Sequence, residues 1–138
     1  MYRLIDIKTI DTEDKGGLSF FEAMRDIPFE IKRVYYIHGV DAGIERGGHA
    51  HKALEQFLFC PFGSIEVIVN SGLGVKESFL LNNASVGLYI PACLWRDMIW
   101  HKKDSILCVV ASEYYDENDY IRNYDEFIKY AEANFKEK

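Results

Sequence analysis

The sequence predicts a mainly β protein, an antiparallel sandwich or barrel closed off by a single C-terminal helix. Short segments rich in β-branched and aromatic residues recur through the middle of the chain at roughly ten-residue intervals, the cadence of antiparallel sandwiches and barrels. One of them, SIEVIVN (64–70), alternates cleanly, with Ile65, Val67 and Val69 on one face, as a half-buried strand requires. After residue 123 the apolar period changes from two to about three and a half.

In chain order, AMRDIP (23–28) is too short to assign. IKRVYYI (31–37) alternates imperfectly but carries the residue types that favour strands. QFLFCPFG (56–63) is a continuous apolar run ending in a Pro-Phe-Gly turn signal. SIEVIVN closes at Asn70-Ser71-Gly72, and VKESFLL (75–81), VGLYI (86–90) and SILCVVA (105–111) follow. In NYDEFIKYAEANFKEK (123–138) apolar and aromatic residues fall at 124, 127, 128, 130, 131 and 135, and lysines gather in the last turn, where they complement the helix dipole.

A length of 138 residues predicts one domain spanning 1–138, and a hydrophobic fraction of 49% is enough to give it a core. No apolar run approaches the roughly eighteen residues of a membrane span. The N-terminal MYRLIDIKTIDTEDK is charged throughout, unlike a signal peptide; the expected setting is cytoplasmic. Cys60, Cys93 and Cys108 lack CxxC spacing and sit among apolar residues, which suits reduced, buried thiols. A net charge of −6 argues against a nucleic-acid binder. It leaves room for an anionic small ligand, because Lys32, Arg33, Arg46 and Lys52 form a local basic cluster.

The chemistry concentrates in RGGHAHKALEQ (46–56). On a strand, His49 and His51 point to one face, and Glu55 joins them if the strand continues. H-x-H-x3-E is the spacing of a transition-metal site and of the first signature of the cupin β-barrels. Such a site needs another histidine from a later strand. The corresponding stretch, YIPACLWRDM (89–98), offers Arg96 instead, and a guanidinium cannot coordinate a cation. The expectation is therefore no metal. Two histidines beside arginines suit proton transfer on a phosphate-bearing substrate: arginines bind phosphate and lower the histidine pKa, keeping a base neutral. The plain alternative is a polar surface loop.

RVYYI, RGGHAHKxLEQ, VGLYIPxxLW and ASEYYDENDYIRNYDEF together make the chain resemble the sugar-nucleotide 3,4-ketoisomerases, WxcM-like cupins, over essentially its whole length. The resemblance implies a small cupin (jelly-roll) β-barrel like that of the dTDP-sugar epimerases, a homodimer, and no metal or organic cofactor. The implied substrate is dTDP-4-keto-6-deoxyglucose, whose ketone moves from C4 to C3 on the way to 3-amino-3,6-dideoxy sugars of surface glycans. By resemblance His49 is the base at C3 and His51 serves the second half of the reaction. Arg33 and Arg46 would bind the diphosphate with help from Lys52. Tyr35, Gln56 and Tyr115 are candidate contacts to nucleotide or sugar. Lys15 and Arg96 stand where family members differ and would line the sugar end, Arg96 leaning towards the gluco product. The rivals are a 3,5-epimerase of the same fold, a metal-dependent cupin dioxygenase, and a binding module without catalysis.

Overall fold

The computed structural model describes residues 1–135. Its strands are β1 (Arg3–Asp6), β2 (Lys8–Asp11), β3 (Gly17–Phe20), β4 (Arg33–Ile37), β5 (Glu45–His51), β6 (Gln56–Phe62), β7 (Ile65–Asn70), β8 (Lys76–Leu81), β9 (Val86–Ile90), β10 (Trp95–Trp100), β11 (Ile106–Ala111) and β12 (Tyr120–Ile121), followed by helix α1 (Tyr124–Phe135). One five-stranded sheet has the order β1-β9-β6-β11-β4, the other β12-β5-β10-β7-β8, and β2 and β3 form a separate hairpin. The pairings are antiparallel. The hydrogen bonding forms two sheets, not a closed barrel, and the result is a jelly-roll sandwich.

The main core lies between the sheets. Leu58 and Cys60 of β6, Leu88 and Ile90 of β9, and Leu107 and Val109 of β11 meet Ile65, Val67 and Val69 of β7 and Met98 and Trp100 of β10. The alternation expected for 64–70 thus holds residue for residue, because a strand with one face in the core buries every second side chain. The outer face of the first sheet is covered by the segment before β4, where Ile27 and Phe29 pack with Phe57, Tyr89 and Val110. The outer face of the second sheet takes α1, whose Phe127 and Ala131 pack on Ala50, Trp95 and Ile121. With Ala50 turned outward to the helix, His49 and His51 face inward. The lysines expected in the last helical turn, Lys136 and Lys138, lie outside the described residues. No helix among the described residues is long and apolar enough to cross a membrane.

Several elements carried no readable signal. All four residues of β2 are exposed, so no apolar face exists to register. In β10 (WRDMIW), Arg96 takes an inward position and breaks the alternation. β12 has two residues, too few for any period.

Candidate active site

The paired glycines before HAH shape the strand that carries it. Arg96 of β10 pairs with His49, while Asp97 pairs with Gly47, so Gly48 is an extra residue in the ladder. Gly47 adopts φ +97°, and a Cβ there would lie 2.8 Å from the Arg96 carbonyl oxygen. Only glycine fits, and the bulge it permits re-aims the strand just before the histidines.

His49 and His51 share the inner face of β5, ring centroids 5.0 Å apart and nearly perpendicular. Tyr120 of β12, held opposite His51 by strand pairing, packs 5.2 Å from His49 and 4.3 Å from His51. Glu55 lies beyond the end of β5 and its carboxylate accepts from the Tyr89 hydroxyl. The H-x-H-x3-E spacing therefore does not bring its three side chains onto one wall. Among the described residues no group of three His, Cys, Asp or Glu is arranged as metal ligands.

A cavity of about 320 Å³ opens in front of His49, lined by Arg33, Tyr35 and Ile37 of β4, Arg46 and Gly47 of β5, Met98 of β10, and Tyr120 and Arg122. Behind it is a buried polar layer. Arg96, 1% exposed, donates from Nη1 to Gln56 Oε1 and from Nη2 to the Leu94 carbonyl at 3.0 Å. Gln56 Nε2 donates in turn to the Tyr35 hydroxyl at 3.0 Å. Among the described residues no carboxylate bonds to this guanidinium. Burial draws the Arg96 pKa down to about 10, leaving it cationic at neutral pH. Burial and the Arg96 charge lower His49 to about 4 and His51 to about 2, so both imidazoles are neutral and able to accept a proton.

Arg33 lies over the rings of Tyr35 and Tyr115, at 5.3 and 5.6 Å. Arg122 covers Tyr120 at 4.2 Å. At the rim, Glu117 accepts from Arg122 Nε and Nη2, at 2.6 and 3.0 Å, and from the Tyr115 hydroxyl at 2.5 Å. Among the described residues, the buried side-chain polar atoms without a partner are Nε and Nη2 of Arg33, Nε2 of His51 and Nε of Arg96. All belong to this site. Burying such groups unpaired costs about 1–3 kcal/mol each, and a site that tolerates the cost is built for something else to pair with them.

Of the residues named from sequence, Arg33, Tyr35, Arg46 and His49 line the cavity. His51, Gln56 and Arg96 are fully buried behind it. Tyr115 stands at the rim over Arg33. Lys52, in the exposed turn after β5, and Lys15, at the end of a short turn ahead of β3, are not on this wall within one chain. Asp119, Tyr120 and Arg122 carry no catalytic signal in the sequence. Their segment, NDYIR, reads as a polar loop, and the strand pairing that sets Tyr120 against His51 spans 69 positions of sequence.

An antiparallel jelly roll holding one neutral histidine in a guanidinium-lined cavity and a second just behind it defines a cupin-type acid–base site for an anionic substrate. Residues 1–132 match the family described as FdtA: WxcM-like, C-terminal, and the chain belongs to it. The TDP-4-oxo-6-deoxy-alpha-D-glucose-3,4-oxoisomerase of Aneurinibacillus thermoaerophilus is 43% identical over 137 residues, covering 99% of this chain and 97% of that protein. A histidine-to-asparagine variant of the 3,4-ketoisomerase QdtA from Thermoanaerobacterium thermosaccharolyticum, solved with TDP-4-keto-6-deoxyglucose, superposes with a TM-score of 0.92 at 46% identity, over 97% of this chain and 96% of that one. The rmlC epimerase of Mycobacterium tuberculosis, at 16% identity and a TM-score of 0.75 over 86% of this chain and 66% of that one, shares the fold alone.

Proposed function

We propose that this chain is a TDP-4-keto-6-deoxyglucose 3,4-ketoisomerase, moving the substrate's ketone from C4 to C3 by proton transfer alone. The observation that carries the reading is neutral His49 on the wall of a cavity lined by three arginines, with neutral His51 and the unpartnered nitrogens of Arg33 and Arg96 buried at or behind that wall. The substrate named for its relatives supplies what they lack, a diphosphate for the cations and exchangeable protons for the imidazoles.

His49, on the cavity wall, takes the proton from C3, and its imidazolium delivers a proton to O4, giving a 3,4-enediol. His51 takes the O3 proton while the C3=O bond forms, and its imidazolium returns a proton to C4. Both histidines end neutral and no electrons leave the sugar. Each placed acid–base group contributes about 10²–10⁴-fold in rate. Arg33 and Arg46, joined by Arg122, bind the diphosphate, with Tyr35 and Tyr115 beside the nucleotide end. Gln56 and Arg96 support this wall from behind. Arg96 also keeps a positive charge beside the enediol as it forms. Lys52 and Lys15 reach a substrate only if it extends past the cavity or a second copy brings them in.

The enzyme works as a homodimer, a reading supported by apolar groups left in the open: Val34 and Tyr36 on the edge strand β4, and Ile10 and Leu18 on the β2–β3 hairpin. A cytoplasmic setting accords with Cys60 and Cys108, which are thiols and not a disulfide. The 3-keto product then suits amino transfer at C3, a step towards 3-amino-3,6-dideoxy sugars of surface glycans.

Incubation with TDP-4-keto-6-deoxyglucose in deuterated water, followed by NMR, tests the reading. The carbonyl should move from C4 to C3, with hydrogen at C5 retained and turnover unaffected by chelator. The same spectrum gives the C4 configuration. Exchange at C5 would mark an epimerase, and loss of turnover on chelation a metal enzyme; either rejects the assignment.

A further inference from the structure

His51 is held from behind by a residue outside the cavity wall. Its Nδ1 lies 3.1 Å from Oδ2 of Asp119. That carboxylate is itself fixed: Oδ1 accepts from the backbone N–H of Ala53 at 2.8 Å, and Oδ2 from that of Leu54 at 3.4 Å. The Asp119 carbonyl accepts from Lys52 N–H at 2.9 Å. The turn that follows β5 is thus wrapped around one aspartate, whose free direction points at the imidazole. At the other side of the ring, Nε2 is buried and has no partner.

We propose that Asp119 is a positioning residue that fixes the tautomer of His51, placing the proton on Nδ1 and leaving the Nε2 lone pair as the acceptor for the substrate's O3 proton. An ionised carboxylate can only accept a hydrogen bond, so Nδ1 must donate. In a neutral imidazole the other nitrogen is then unprotonated. With the opposite tautomer, His51 would offer an N–H to a hydroxyl whose proton it has to take. Charge reinforces the choice. When the O3–H bond breaks and the Nε2–H bond forms, the imidazolium arises among Arg33, Arg96 and Arg122, which disfavour it. Asp119 is the anion hydrogen-bonded to that ring. The proton then passes to C4, and Asp119 neither gains nor loses one.

This inference rests on the ketoisomerase reading, but its first measurement does not depend on turnover. Long-range proton–nitrogen NMR of the ¹⁵N-histidine-labelled enzyme should give His51 as the Nδ1–H form. In Asp119→Asn the amide oxygen can keep the Ala53 bond while the amide nitrogen donates to Nδ1, driving His51 to the Nε2–H form. The variant's kcat should fall by about 10²–10⁴-fold, with KM and the affinity for TDP within about threefold of wild type. A purely structural aspartate would not separate kcat from KM. An Nε2–H tautomer in the wild-type enzyme overturns the proposal, and this holds even if the variant fails to fold. So does an Asp119→Asn enzyme in which Nδ1–H persists or whose kcat stays within about threefold of wild type. Failure of the ketoisomerase reading would show separately, as an absent C3 ketone with wild-type enzyme.

Discussion

Two cavities among the described residues differ in character, and the larger of them is the less informative. One of about 720 Å³ is lined mainly by apolar groups, among them Met1, Leu73, Val75, Pro91 and Leu94. Its carboxylate, Glu55, is already engaged by the Tyr89 hydroxyl. The other, of about 320 Å³, gathers three arginines, a histidine and two tyrosines, and the buried polar atoms left unpaired lie on or behind its wall. Volume measures what can fit; unpaired donors and acceptors measure what is wanted. The two spaces share the turn after β5, because Ala53 lines the apolar cavity while its N–H holds Asp119.

The sharpest way to break this contrast is to remove the proposed base from the polar cavity. His49→Asn should lower kcat by about 10²–10⁴-fold while TDP binding, measured by calorimetry, changes little. Retained turnover would move the chemistry elsewhere.

A smaller effect should appear in stability against pH. His49 titrates near 4 in the folded protein and near 6.5 when unfolded. Between those values the unfolded chain binds the extra proton, so stability rises with pH and is lost as pH falls from about 6.5 to about 4. The loss is on the order of 3 kcal/mol for His49, and His51, held near 2, extends the decline further into acid. Urea midpoints across this range should follow that slope, and His49→Asn should lessen it by about half, leaving the share of His51. A flat wild-type profile would mean that the cavity does not hold its histidines neutral.

The smallest change belongs to the apolar cavity. Leu73 is 49% exposed, so Leu73→Ala should shift stability by no more than about 0.5 kcal/mol and leave turnover intact. A large loss of turnover would show that the two cavities are coupled through their shared turn.

The parts of the fold that could be read from sequence are those whose burial is one-sided. In β7 and α1, apolar positions that marked the element pack on one face, as Ile65, Val67, Val69, Phe127 and Ala131 do. β10 escaped notice because its inward Arg96 serves the site, and a strand that delivers a charge to the interior loses the pattern that identifies strands. The HAH pair was legible for the converse reason: period two is local, so two histidines one residue apart share a face wherever a strand carries them.

From sequence alone came the β class, the terminal helix, the shared face of His49 and His51, and the resemblance to the ketoisomerases, because each depends on neighbours along the chain. Tertiary structure alone decided that Glu55 turns away to Tyr89, that Arg96 and Gln56 form a buried layer, and that Asp119, Tyr120 and Arg122 complete the site. Those contacts join residues tens of positions apart, and their electrostatics depend on burial, which no local spacing encodes. The same arginine that argued against a metal in the sequence lowers both histidine pKa values only because the fold buries it beside them.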